Sequence, residues 1–177
     1  MKKSYEIALG GVIAALSVVL LVLATLLPVA DMVFPAAAGV LLIAAVFELG
    51  QSGALLIFAA VSVLSLLLPV DKTAALYYIL FFGHYPIVKT YLERIPNRVL
   101  RWTAKFLLFN LCAGAALLLA VYLFQAPVQL FRRLPLAGGI ALTVLCFNLA
   151  FAVYDIAVLR LAEQYRLRLH RFLARRR

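Results

Sequence analysis

The residues with chemical potential are few, and most sit where water is scarce. His84, Asn110, Asn148 and Asp155 each fall inside a long apolar run, with Lys89 and Lys105 close to the ends of such runs. A histidine can donate, accept or take up a proton, and a carboxylate in an apolar run needs a cation or donors beside it. Asp155 has two candidate cations, Lys89 and Lys105. His84 lies 13 residues past Asp71, roughly 20 Å along a helix, and Asn110 and Asp155 fall at a similar depth on two other runs. The spacing predicts one buried polar network of His84, Asn110, Asp155 and Lys89, either structural or serving a substrate or proton. No phosphate-cradling loop, zinc-protease motif, serine-hydrolase elbow or catalytic carboxylate pair occurs, so an enzyme is not expected. Cys112 and Cys146 lie in apolar runs without metal-ligand spacing, so no metal or cofactor is expected.

The elements that hold these residues are membrane helices. Of 177 residues, 67% are hydrophobic and 14% charged, whereas a soluble domain is about half apolar and a quarter charged. A chain this short cannot hide that much apolar surface from water. About 20 apolar residues cross the hydrocarbon, which predicts an all-α integral membrane protein, a single transmembrane domain with about six spans: 7–27, 33–47, 53–68, 73–91, 104–124 and 136–159. The second and third are short and read as a helical hairpin turning at Glu48, Gly50, Gln51 and Ser52. With the N-terminus in the cytoplasm, 14 of the 17 lysines and arginines lie on the cytoplasmic side, leaving Lys72, Arg132 and Arg133 outside. That bias places both termini inside. It also assigns the net charge of +10 to membrane topology rather than to nucleic acid. Residues 160–177 alternate leucines and Phe172 with arginines and read as a basic amphipathic cytoplasmic tail on an anionic leaflet.

Local signals refine the spans. Asp31 and Asp71 precede helices and suit N-caps, or ligand contact from outside. Pro86 removes a donor from the fourth span and predicts a kink near Phe82 and Gly83. On the first span, Ala8, Gly11 and Ala15 line one face, flanked by Gly10 and Ala14. Small residues at this spacing admit a second helix closely, either the chain's own or that of another subunit.

Six spans in under 200 residues, and the stretch Ala8-Leu9-Gly10-Gly11-Val12-Ile13-Ala14-Ala15-Leu16-Ser17, resemble the substrate-binding S components of energy-coupling factor (ECF) transporters. Gly10/Ala14 and Gly11/Ala15 match that family's small-residue spacing, while Val12 stands four residues after Ala8. The resemblance implies an S-component-like bundle in a bacterial cytoplasmic membrane. It implies docking to a coupling transmembrane subunit with an ATPase pair, and capture of a small molecule without catalysis. Candidate substrate contacts are Asp31, Tyr77, Tyr78, His84 and Asn148. The outer half offers few polar groups for a substrate site, so the alternatives are a membrane scaffold of similar fold (MreD-like) and a small stand-alone transporter.

Overall fold

The structure, a computed structural model, describes residues 2–27, 32–124 and 136–174. Asp31 lies outside them. Among the described residues the chain is helical throughout, with no strand. The elements are α1 (Lys2–Leu26), α2 (Val33–Glu48), α3 (Gly50–Leu67), α4 (Lys72–Tyr77), a π-helical turn (Tyr78–Phe82), α5 (Tyr85–Leu92), α6 (Arg98–Phe124) and α7 (Leu136–Ala174). Four helices, α1, α3, α6 and α7, are long and apolar enough to cross a membrane, and α2 is a shorter apolar helix. This is the architecture of a multi-pass helical membrane protein. The chain divides into two compact units, Met1–Arg101 and Trp102–Arg177.

In the first unit, α1 turns Ile13, Ser17, Leu21 and Ala24 inward, a helical stripe three and four residues apart. These residues face a core built on Ala38, Leu42, Ala45, Ala54, Val61, Ala75 and Tyr78. The alanines of α2 keep side chains short, so helices pack closely. The α2–α3 turn is tighter than the expected polar loop. Only Leu49 separates the helices, because Gly50 takes φ +74°, a conformation that glycine adopts without a Cβ clash. Gln51 and Ser52 therefore belong to the first turn of α3.

The expected fourth span is broken. Asp71 caps α4, its carboxylate accepting from the amides of Thr73 (2.7 Å) and Ala74 (3.0 Å), while its own amide donates to Thr25 Oγ1 of α1 at 2.9 Å. The helix then widens: the Gly83 amide donates to the Tyr78 carbonyl at 2.7 Å, a bond reaching back five residues instead of four. Gly83 and His84 form a turn, and Pro86 sits in the first turn of α5, where its missing N–H costs nothing. The anticipated kink is thus a π turn followed by a fresh helix start. Its position is fixed by packing, since a Cβ on Gly83 would lie 2.6 Å from the Phe58 ring and 2.8 Å from the Tyr78 carbonyl.

In the second unit, α6 is capped by Asn97, whose Oδ1 accepts from the Val99 amide at 2.9 Å. α7 runs 39 residues, about 58 Å at 1.5 Å per residue, against about 30 Å of hydrocarbon. Residues 160–174, expected as a separate tail, continue α7 without a break.

Gly83→Ala is expected to lower stability by about 1–3 kcal/mol, the usual cost of overpacking. Gly11→Ala, with nothing within 4 Å of its Cβ position, is expected to leave it unchanged. Thermal unfolding of both variants in the same detergent checks the pair.

Candidate functional site

In the second unit Lys105, Asn110, Asn148 and Asp155 meet in one seam between α6 and α7, with Asn110 exposed rather than buried as expected. Side chains on α6 at 105, 106, 109 and 110 meet those on α7 at 148, 151 and 155, the three- and four-residue spacing of packed helices. At one end Lys105 Nζ lies 2.9 Å from Asp155 Oδ2, and both side chains are almost wholly buried. The ammonium also stands 5.1 Å from the centre of the Trp102 ring, an added cation–π attraction. Phe109 and Phe151 stack at 4.6 Å, and Phe106 meets Phe151 edge-on at 5.4 Å. These rings form the apolar middle of the seam.

Beyond the rings, Asn110 and Asn148 bond to each other in both directions. Asn110 Nδ2 donates to Asn148 Oδ1 at 2.9 Å, and Asn148 Nδ2 to Asn110 Oδ1 at 3.1 Å. Each amide gives its second hydrogen to a carbonyl one turn back, Phe106 and Val144 respectively, both at 2.8 Å. All four amide hydrogens are used. An unsatisfied amide in hydrocarbon is costly, so this reciprocal pair holds the two helices in one register.

The residues expected in one network have the following partners within their own units. Asn110 bonds Asn148, and Asp155 takes Lys105. Lys89 has Glu93 Oε1 at 3.8 Å and the Tyr85 ring centre at 5.9 Å. His84 Nδ1 is 3.3 Å from the Ile79 carbonyl. A carbonyl only accepts, so in this arrangement Nδ1 carries the hydrogen. Asn148, a candidate substrate contact, already commits both amide hydrogens to the seam. Lys105 was one of the two candidate cations for Asp155, whereas Trp102, Phe109 and Phe151 were not among the candidate site residues; helical spacing against Asn148 and Asp155 was the available signal for Phe109 and Phe151.

Tyr77, Tyr78 and His84 lie on the broken span of the first unit. Tyr77 ends α4 and is half-buried. Tyr78 is fully buried, and its hydroxyl has no hydrogen-bond partner among the described residues. Phe58 of α3 sits beside both: its ring centre is 5.9 Å from that of Tyr78 and 6.0 Å from that of His84. Nearer the α3 start, Gln51 Nε2 donates to Thr90 Oγ1 at 3.0 Å, and the Tyr91 hydroxyl donates to Gln51 Oε1. These bonds tie α3 to α5.

The small-residue face of α1 divides in two. Gly10 and Ala14 are half-buried, and a Cβ on Gly10 would make ordinary contact with Leu49 (3.6 Å) and Ile57 (3.7 Å). Ala8, Gly11 and Ala15 are exposed. One row serves the chain's own packing, and the other is free along the helix.

Comparison with protein-family models, characterised proteins and solved structures gives no match. The resemblance to S components thus rests on the α1 stretch and the arrangement of spans.

Removing one partner of the buried ion pair takes away a 2.9 Å contact from the other charge. Asp155→Leu and Lys105→Met are each expected to cost about 3–5 kcal/mol, with the double variant recovering most of the loss. Equilibrium unfolding of the three variants in one detergent gives the cycle.

Proposed function

We propose that this chain is the substrate-capturing membrane subunit of an importer, energised by a separate coupling subunit and ATPase pair. In this reading it resides in a bacterial cytoplasmic membrane with both termini inside, and the lysine and arginine bias supports that orientation. The observation that carries the reading is the exposed row Ala8, Gly11 and Ala15 on α1. Large side chains on a lipid-facing helix fill space against acyl chains. A row of small ones leaves a groove that a partner helix fills with close van der Waals contact.

Two further features support it. The sequence holds no nucleotide-binding loop, which fits ATP hydrolysis on another chain. The break at Tyr78–His84 interrupts a spanning segment beside buried polar groups, and interrupted helices supply binding groups at depth in membrane transporters. Within this reading Tyr77, Tyr78 and His84 are the substrate contacts, and the Lys105–Asp155 and Asn110–Asn148 pairs are structural supports.

Purification of the tagged protein from its native membrane in gentle detergent, followed by mass spectrometry, tests the proposal. A coupling membrane protein and two ATPases are expected to accompany the wild type. Gly11→Leu combined with Ala15→Leu is expected to reduce their recovery at least about tenfold, the effect of roughly 1.4 kcal/mol at the contact, at unchanged melting temperature. Unchanged recovery sinks the docking claim, and recovery of cell-shape or envelope-assembly proteins alone replaces the importer with a scaffold.

A further inference from the structure

Three hydroxyls in the first unit are buried without a hydrogen-bond partner among the described residues: Ser17 on α1, Ser62 on α3 and Tyr78 on the π turn. Ser17 and Tyr78 are fully buried residues. Helical serines and threonines ordinarily turn back on their own helix, as Ser65 does to the Ser62 carbonyl (2.8 Å), Thr90 to Ile87 (2.7 Å) and Thr143 to Gly139 (2.8 Å). Ser17 and Ser62 do not take that route.

Contacts along the helices bring the three to one level. The Gly10 site abuts Ile57, and the Asp71 amide bonds Thr25, so α1 runs parallel to α3 and Ser17 falls beside positions 63–64. Gln51 bonds Thr90, and Phe58 abuts the Gly83 site. The broken span therefore runs antiparallel to α3, and Tyr78 falls beside position 63. Ser62 is one residue away, a single turn from Phe58, whose ring lies against that of Tyr78.

We infer that Ser17, Ser62 and Tyr78 form a site for one small uncharged guest carrying hydrogen-bonding oxygens or nitrogens. Each hydroxyl can donate one hydrogen bond and accept others, and a buried hydroxyl left unpaired is disfavoured. The guest is uncharged because the described residues of α1, α3 and the broken span carry no formal charge at this level. Asp71 lies seven residues from Tyr78 and Lys89 eleven, about 10 and 16 Å along a helix, and an isolated ion is costly in an apolar interior. A substrate hydroxyl or amide and a water molecule share this chemistry. The site needs only α1, α3 and the broken span, so it stands apart from the docking of a partner at the other row of α1.

The test uses the full-length protein in one detergent with Ser17→Ala, Ser62→Ala and Tyr78→Phe, singly and combined. A shared guest predicts that each single change lowers the melting temperature by a few degrees. The triple change should then cost much less than the three added together, because loss of one hydroxyl already loosens the guest. Melting temperatures that rise or stay level show orphan hydroxyls and overturn the site, and so do strictly additive losses. Mass spectrometry of small molecules released from the wild type and from the triple variant separates the sources. A compound released only by the wild type is the ligand; no such compound, with the non-additive pattern kept, assigns the guest as water.

Discussion

In hydrocarbon every polar group must find its partner inside the protein, because no water stands ready to replace a lost bond. That constraint organises the second unit. Lys105 and Asp155 neutralise each other at 2.9 Å, and Asn110 and Asn148 exhaust their donors on one another and on carbonyls one turn back. Between the two pairs, Phe106, Phe109 and Phe151 fill the seam with rings. A rotation of either helix would strand a charge or an amide, so the pairs specify register as well as attraction. Replacement by apolar side chains can match such a pair in stability; its contribution here is to make one alignment of α6 and α7 preferable to the others.

The first unit meets the same constraint differently. Its segment at 72–92, expected as one span, gives up regular helix for a π turn and a restart at Pro86, and the freed geometry is held by Phe58 against Gly83. Asp71 and Gln51 fasten the segment at its two ends, to α1 and within the α3–α5 contact. What remains unpaired among the described residues is a set of hydroxyls at one level. The contrast locates binding capacity: the amide hydrogens of Asn110 and Asn148 are committed, while Tyr78 on the broken span keeps a hydroxyl in reserve.

Much of this was legible in the sequence because it depends on short spacings. The all-helical class follows from apolar run lengths, the Asp71 cap from an acidic residue ahead of α4, and the disturbance near Phe82 and Gly83 from Pro86. Asp155 demanded a nearby cation, and Lys105 was one of two candidates. The Lys105–Asp155 contact itself needed the α6–α7 pairing, which brings together positions 50 residues apart. The π register was not legible, since it depends on a Phe58 ring from another helix. Ser17 and Ser62 carry no distinguishing signal in the sequence; only the partnered state of Ser65 beside them gives their open hydroxyls meaning. The split of the α1 row into Gly10/Ala14 inside and Ala8/Gly11/Ala15 outside likewise required the neighbours, Leu49 and Ile57.

The central claim is that the charges within the spans are matched in place, with Asp155 ionised against Lys105. The most direct measurement is the infrared spectrum of the protein carrying carbon-13 aspartate, reconstituted in lipid vesicles at neutral pH, as the difference between wild type and Asp155→Asn. The account predicts that Asp155 contributes carboxylate bands, and that Lys105→Met shifts or weakens them. A protonated-acid band in the wild type, or carboxylate bands untouched by Lys105→Met, would contradict it.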